Sequence, residues 1–468
     1  MTCDRSAEIF VSADGQTRCD TLFFGMRTLQ QNMIPSKYIV SIILESVIDQ
    51  LLSSQREKEV ILYKTLQSHV TAESLSASRF PLSTTSMNSE IEDTSPTPPI
   101  PPEIKDQLLP DPALSVSQLL QYQLPAVWQG PPNEQTSVES YLTNLPVNVT
   151  SLNAIKSIPI PSKFITTKLE RHSRLASSTS IGCTHIHFPS APEKRVPTWV
   201  VTYWIEAGQI LRLKKKWLDA ESSLQKRRTH KNRTKETAGL ISCIYEKLSS
   251  IQWSGNMHGF SASVPIHHLT SFLSQEWLSD HHETQMLDLL RLEINRKQAG
   301  SVQIGDVFFT THLKEIHKNA STYTASKEYE WLCRMGQEFA TGIYDTYATI
   351  SNINQNHWIA LIIDFRSSII YYGDSIGGII NDDLEAALTW WTNYHTGNWF
   401  PTKTLPITRQ RDGHSCGILA WNAIASFLQP ETYPLMDSDV GIMADERLHM
   451  FLKIVDQHNE RVSHYLQT

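Results

Sequence analysis

Apolar residues along this chain recur first at helical spacing and later in strand-like runs. In residues 36–70, Ile39, Ile43, Val47, Ile48, Leu51 and Leu52 repeat at three- and four-residue intervals behind Ser36, a residue suited to N-capping. One long helix or a helical pair is expected there, within a helical N-terminal segment covering 1–75. The stretch 76–195 reads as a Ser/Pro-rich linker or irregular region: "TSPTPPIPP" favours extended polyproline geometry, and 115–195 mixes Ser, Pro and Asn without a period. Periodicity returns in 196–250, where Trp204, Ile205, Ile210, Leu211, Leu213, Trp217 and Leu218 line one face of an amphipathic helix that ends in a basic run. After about residue 251 aromatic and β-branched segments alternate with short turns. "HWIALIIDF" and "SSIIYYGDS" read as buried strands, and "SVQIGDVFFTTHL" as a strand or a helix start. "LTSFLSQEWLSDHHETQMLDLLRLEI" reads as a turn and then a helix; "EYEWLCRMGQEFATG", "LEAALTWWTNYH" and "SCGILAWNAIASFL" read as helices. The mixture predicts an α+β domain over 251–468.

Composition narrows the class. At 468 residues and 40% hydrophobic the chain has room for at least one sizeable core. No stretch reaches the roughly 18 apolar residues of a membrane span, and the first 30 residues lack a basic start followed by an apolar run. A soluble, intracellular protein without a membrane partner is expected. Six cysteines, at 3, 19, 183, 243, 333 and 416, are too sparse for a disulfide framework and show no zinc-type pairing. Reduced thiols are therefore expected, with no metal and no cofactor.

The net charge of −7 is uneven: from 251 onward the 24 acidic residues outnumber the 14 basic ones by ten, which leaves +3 for residues 1–250. The C-terminal half is a poor candidate for nucleic-acid binding, which needs a basic footprint. Residues 212–235 hold ten Lys or Arg against only Asp219 and Glu221. The clusters Lys214–Lys216 and Lys226–Arg228 resemble a bipartite nuclear-import signal, which predicts a nuclear rather than cytoplasmic protein. A solvated helix face and a contact with nucleic acid are the other readings of that run. Nothing in the pattern sets an oligomeric state.

The chemistry concentrates in three places. In "HWIALIIDFRSSIIYYGD" the midpoint between His357 and Asp374 falls at the polar break, so a hairpin would bring the two side chains together on one face, about 5 Å apart at Cβ. A carboxylate that holds an imidazole in one tautomer makes it a competent general base. The alternative is a strand-end His and a turn Asp that meet only water. Cys416 opens a predicted helix, where free backbone N–H groups and the positive dipole end favour a thiolate. The alternative is a buried small hydrophobe, against which the polar "RQRDGHS" before it argues. Gly417 would leave space for a substrate backbone, and Gln410 offers an N–H donor for a developing oxyanion. His414 is a rival base, but two residues from the thiol on one turn it is expected to point elsewhere.

"NQNHWIALIIDF", "YYGDS" and "RQRDGHSCGI", in that order, resemble the His-Trp, Asp-Ser and Gln-to-Cys-Gly blocks of the ubiquitin-like protease family, the SUMO-processing cysteine peptidases. "EWLSD" is similar to the family's Trp-Leu-Asn-Asp motif through Trp277, Leu278 and Asp280, and the resemblance covers roughly 265–460. It implies a papain-like cysteine protease fold, a triad of His357, Asp374 and Cys416, Gln410 as oxyanion donor, and Trp277 and Trp358 clamping a flat diglycine. Asp280 and Gly417 fall in the same substrate-binding blocks. The implied partner is SUMO or another ubiquitin-like modifier and its conjugates. Three positions depart from the pattern: Ser279 replaces Asn, Asp412 lies where Asn is common, and Ser415 stands where Asp usually precedes the nucleophile. None removes a catalytic group. An acyltransferase built on the same triad, and a non-enzymatic modifier-binding or mobile-element-derived protein, are the alternative functions.

Overall fold

The computed structural model describes residues 97–468, apart from 129–137, 150, 179–184, 189–190, 232, 298–299 and 468. The helix expected at 36–70 and the first part of the Ser/Pro-rich stretch lie outside the described residues. The described residues fall in one compact unit.

Its first part is not an irregular linker. Short helices α1 (Pro102–Leu108) and α2 (Val116–Gln121) are followed by β1 (Leu142–Thr143), α3 (Leu152–Lys156) and α4 (Lys163–Ser178). Strands β2 (His185–Phe188) and β3 (Ala191–Pro197) join β1 in an antiparallel sheet of order β1-β2-β3. Ser115 caps α2 in a capping box with Gln118, a local signal that the mixed composition of 115–195 obscured. Helices α5 (Val200–Thr229) and α6 (Lys235–Ser250) then fill the region where one amphipathic helix was expected. Trp204, Ile210 and Trp217 of the expected apolar face are buried, whereas Leu218 is exposed.

The change of texture at residue 251 is not a break in packing. Val116 N donates to Ile251 O at 3.0 Å and Trp253 N to Leu114 O at 3.1 Å, while the Trp253 indole donates to Asp111 O at 2.8 Å. One apolar cluster runs without interruption from Ile100 through α5 and α6 to Val455. α5 lies against the 3₁₀ turn Ile266–Leu273. Composition reports what a segment is made of; it cannot report that two segments bury their faces against each other.

The second part holds α7 (Asp280–Arg296), β4 (Val302–Ile304), α8 (Phe309–Lys318), α9 (Glu330–Ala340), β5 (Thr346–Ile353), β6 (His357–Asp364), β7 (Ile369–Gly373), α10 (Asp382–Thr396), β8 (Thr402–Thr404), α11 (Cys416–Leu428) and α12 (Val440–Gln467). The sheet order is β4-β5-β6-β7-β8, antiparallel at its centre and parallel at both outer pairs. β6 is buried on both faces, which is why it reads as a continuous apolar run rather than an alternation. Ala348, Ile350, Trp358, Ala360 and Ile362 face the large cluster with α11, while Tyr347, Ile359, Leu361 and Ile363 face a second one with Phe309 and Trp391. This confirms the α+β architecture and sets α11 across β6. α6 packs on α12, tied by Thr237 Oγ1 donating to Asp445 at 2.7 Å, and Arg227 of α5 pairs with the same carboxylate.

Candidate active site

The hairpin β6–β7 carries the first two residues. Its register pairs Asp364 with Ile369 and Ala360 with Gly373, two residues offset from the symmetric pairing assumed from sequence. His357 and Asp374 are therefore diagonal rather than directly opposite, but the offset is even, so both stay on one face. The long imidazole spans the diagonal: His357 Nε2 donates to Asp374 Oδ1 at 2.8 Å. Ile376 N donates to the same oxygen at 2.8 Å. A Cβ on Gly378 would lie 2.4 Å from Asp374 Oδ2, so only glycine lets the chain curl this closely around the carboxylate. Burial alone would push the Asp374 carboxyl up, but hydrogen bonds from His357, Ile376 and Gly378 hold it below its ordinary value.

Cys416 is the first residue of α11, and its thiol is in hydrogen-bonding contact with the His357 ring, whose Nδ1 is left free by the Asp374 bond. At 4% exposure it is more enclosed than the polar run before it suggested. That run spends its polarity internally: Asp412 accepts from the backbone N–H of His414 and Ser415 at 3.0 and 2.9 Å and from Ser415 Oγ at 2.6 Å. His414 sits beside Asp412, its Nδ1 3.7 Å from Oδ2.

Burial lowers the His357 pKa, but the Asp374 hydrogen bond and the Cys416 sulfur outweigh it and raise it to about 9. With a folded value above the ordinary 6.5, the stabilisation that this proton contributes is complete below about pH 6.5 and is lost as pH climbs through about 9. We expect a pH profile of kcat/KM whose alkaline limb falls near pH 9. A limb near 6.5 would show that His357 is not held charged by its two neighbours.

Gln410 is less free than expected. Its Oε1 accepts from Ser375 Oγ at 3.0 Å, and its Nε2 donates to Asp412 O at 2.8 Å and, more weakly, to Asp412 Oδ1 at 3.3 Å. An oxyanion would have to draw off the longer of these contacts. Ser375 also receives Gln410 N on its carbonyl at 2.8 Å, so the residue after Asp374 is tied to the loop before Cys416.

The Gly417 reading needs correction. A Cβ there would fall 1.8 Å from Glu283 Oε1, so the missing side chain makes room for a buried carboxyl of this protein and not for a substrate. Glu283 is fully buried and neither oxygen has a hydrogen-bond partner. Burial first, and then the Cys416 charge, push its pKa well above the ordinary value and keep it protonated.

The Trp277 segment approaches from the other side. Trp358 is buried beneath it, with its indole donating to Leu278 O at 2.8 Å, whereas Trp277 is 54% exposed. Asp280 begins α7, and Ser279 caps that helix in a box with His282. His282 Nδ1 accepts from Ser279 N at 2.9 Å, so Nε2 carries the proton and donates to His268 O at 2.7 Å. Ser, a strong N-cap, thus serves where the resembled motif has Asn. Among the described residues no group of three or more His, Cys, Asp and Glu is placed to hold a metal ion, and no helix is long and apolar enough to cross a membrane.

A thiol at a helix start, an imidazole against it and a carboxylate behind the imidazole are the groups of a thiol nucleophile with its oriented general base. Residues 276–458 match the family model of the Ulp1 protease family, C-terminal catalytic domain. Solved structures with likeness to the chain include the SUMO protease Ulp1 with its catalytic cysteine oxidised to a sulfenic acid, 22% identical over 42% of this chain and 84% of that one, TM-score 0.32. Another is the C-terminal Ulp1 protease domain in complex with Smt3, the yeast ortholog of SUMO, 20% identical over 46% of this chain and 93% of the other, TM-score 0.34. A third is the catalytic domain of the Chaetomium thermophilum Ulp1-like SUMO protease, 14% identical over 51% and 88%, TM-score 0.35.

Proposed function

We propose that this domain cleaves the bond after the C-terminal Gly-Gly of SUMO or a related ubiquitin-like modifier, releasing it from a precursor or from a conjugated lysine. The observation that carries the reading is the contact chain Cys416–His357–Asp374 inside a segment matching the protease family. The Cys416 sulfur attacks the glycine carbonyl, and the oxyanion that forms is met by the Cys416 N–H and the Gln410 amide. His357, holding the thiol's proton, gives it to the departing amine. Water, deprotonated by the same imidazole, then opens the thioester. Asp374 keeps the ring in the tautomer that presents Nδ1 to the sulfur throughout.

Trp277 and Trp358 would line the channel that admits the diglycine, because the Trp358 bond to Leu278 O brings the two residues' segments together. A SUMO carrying a C-terminal electrophile should form a covalent adduct at Cys416, identified by peptide mass spectrometry. Absence of that adduct, with the thiol still open to a small alkylating reagent, would defeat the modifier assignment. A packed channel resists added volume at about 1–3 kcal/mol. Substrates ending in Gly-Ala should therefore be cut roughly ten- to a hundredfold more slowly than Gly-Gly ones. Equal rates would show that no such channel exists.

Nuclear import through the run at 212–235 is also proposed. Lys214 donates to Tyr122 O at 2.7 Å and Arg227 pairs with Asp445, so these two residues also serve the fold. The substitutions that test import are Lys215, Lys216 and Lys226 to Ala; a fluorescent fusion of that variant that still gathers in the nucleus would remove the proposal.

A further inference from the structure

The last helix, α12, contributes one side chain beneath the site that no motif singles out. Arg447 is 1% exposed, yet its partners are carbonyls and not carboxylates. Nη2 donates to Ser271 O and, at 2.6 Å, to Glu276 O; Nη1 donates to His414 O at 3.3 Å; Nε has no partner. Glu276 precedes Trp277, and His414 lies two residues before Cys416. One guanidinium therefore bridges the segment that carries the exposed tryptophan and the loop that carries the thiol.

A buried cation without a carboxylate partner is costly unless negative charge lies close by. The anionic groups that face it are Asp412, Cys416 and Glu276, with Glu283 beside them. Glu283 is kept protonated by its burial and does not balance the charge. His282 and His414, the other titratable neighbours, are held neutral chiefly by their own burial. What remains to compensate Arg447 from within the protein is the Asp412 carboxylate that organises the nucleophile loop, the Glu276 carboxylate, and the sulfur itself when it is ionised.

We propose that Arg447 is a positioning residue for the thiol chemistry: its buried guanidinium fixes the spacing between the Trp277 segment and the Cys416 loop and adds, besides that of His357, a second positive charge facing the sulfur. This deepens the peptidase reading and rests on Cys416 being the nucleophile. Lysine can replace the charge but not the planar fork that reaches three carbonyls, so the two parts of the role separate by substitution.

The test uses the full-length chain with two readouts: the rate at which iodoacetamide alkylates Cys416 at pH 7, followed on the Cys416 peptide by mass spectrometry, and kcat and KM on SUMO fused to a C-terminal fluorogenic amide. Arg447→Met should slow alkylation about tenfold and lower kcat/KM about a hundredfold. Arg447→Lys should keep alkylation within about twofold while kcat/KM falls about tenfold, mainly through KM, as the Trp277 segment loses its fixed distance. A folded Arg447→Met protein with both readouts within twofold of the parent would overturn the proposal. So would Arg447→Lys if it slowed alkylation strongly, or if it left kcat/KM unchanged; those two numbers decide the matter if the methionine variant does not fold. Alkylation is read without any modifier, so a wrong substrate assignment leaves this arm standing.

Discussion

Cys416→Ser abolishes turnover while the protein still binds its modifier: this is the largest effect expected. The hydroxyl fits where the thiol was, at the first turn of α11 and against the His357 ring, so neither the helix nor the buried contacts around it should change. What changes is the nucleophile. A serine hydroxyl is far more reluctant than a thiol to give up its proton at neutral pH, and its oxygen does not form the ion pair with the imidazole that a thiolate does. Loss of the nucleophile of a catalytic triad typically costs several orders of magnitude, so the rate on the fluorogenic SUMO amide should drop by about 10⁴ or more. The modifier's affinity, measured by titration calorimetry, should stay within a few-fold of the parent, because the substitution changes one buried atom and leaves the surrounding surface as it was. Residual turnover above a hundredth of the parent rate would mean that another group performs the attack.

Asp374→Asn should come next in size. Asp374 Oδ1 accepts from both His357 Nε2 and Ile376 N, and the two bonds keep the carboxylate oriented. An asparagine can satisfy Ile376 with its oxygen, but it then turns its NH₂ group towards the imidazole. Nε2 must accept instead of donate, which moves the ring proton to Nδ1, the nitrogen that faces Cys416. A base whose reacting nitrogen already carries a proton cannot take another from the thiol. Tautomer reversal of this kind has cost about 10⁴ in rate in a serine protease, and a loss of about 10³ or more is expected here. The His357 pKa, raised to about 9 in the parent, should fall at the same time because its hydrogen-bonded anion is gone. Rate and melting temperature are measured together: an unaltered rate in a protein of unaltered stability would mean that the His357–Asp374 bond has no part in catalysis.

The sequence was most legible where chemistry and local period coincide. β6 and β7 are apolar runs interrupted once, which is enough to predict a hairpin, and a hairpin is enough to bring a residue at its start to a residue at its end. The helical pattern beginning at Cys416 needed only its own residues, and so did α9 and α10. β5 was missed: "TYATISNI" is short and mixed, and it declares itself only by pairing with β6 along its whole length. The two-residue offset of the β6–β7 register was beyond reach as well, since pairing depends on how the turn at 365–368 closes and both registers place the same faces inward.

Contacts between distant segments were decided by the fold alone. Gly417 looked like space for a substrate, because nothing local shows that Glu283, more than a hundred residues earlier, fills that space. Asp412 registered only as a departure from a pattern, and its four donors became visible once the loop closed on itself. Arg447 sits in a helix whose pattern says only that one face is buried; its reach to the carbonyls of Ser271, Glu276 and His414 follows from where α12 lies. The boundary read at 251 disappeared for the same reason. Residue type and period are properties of a few neighbouring positions, and they determined the β6–β7 hairpin, the helix that starts at Cys416 and the candidates for the reacting groups. Which carboxyl is stripped of water, which cation is left without an anion and which segments share a core depend on apolar surfaces meeting across the whole chain, and only the packed structure decides them.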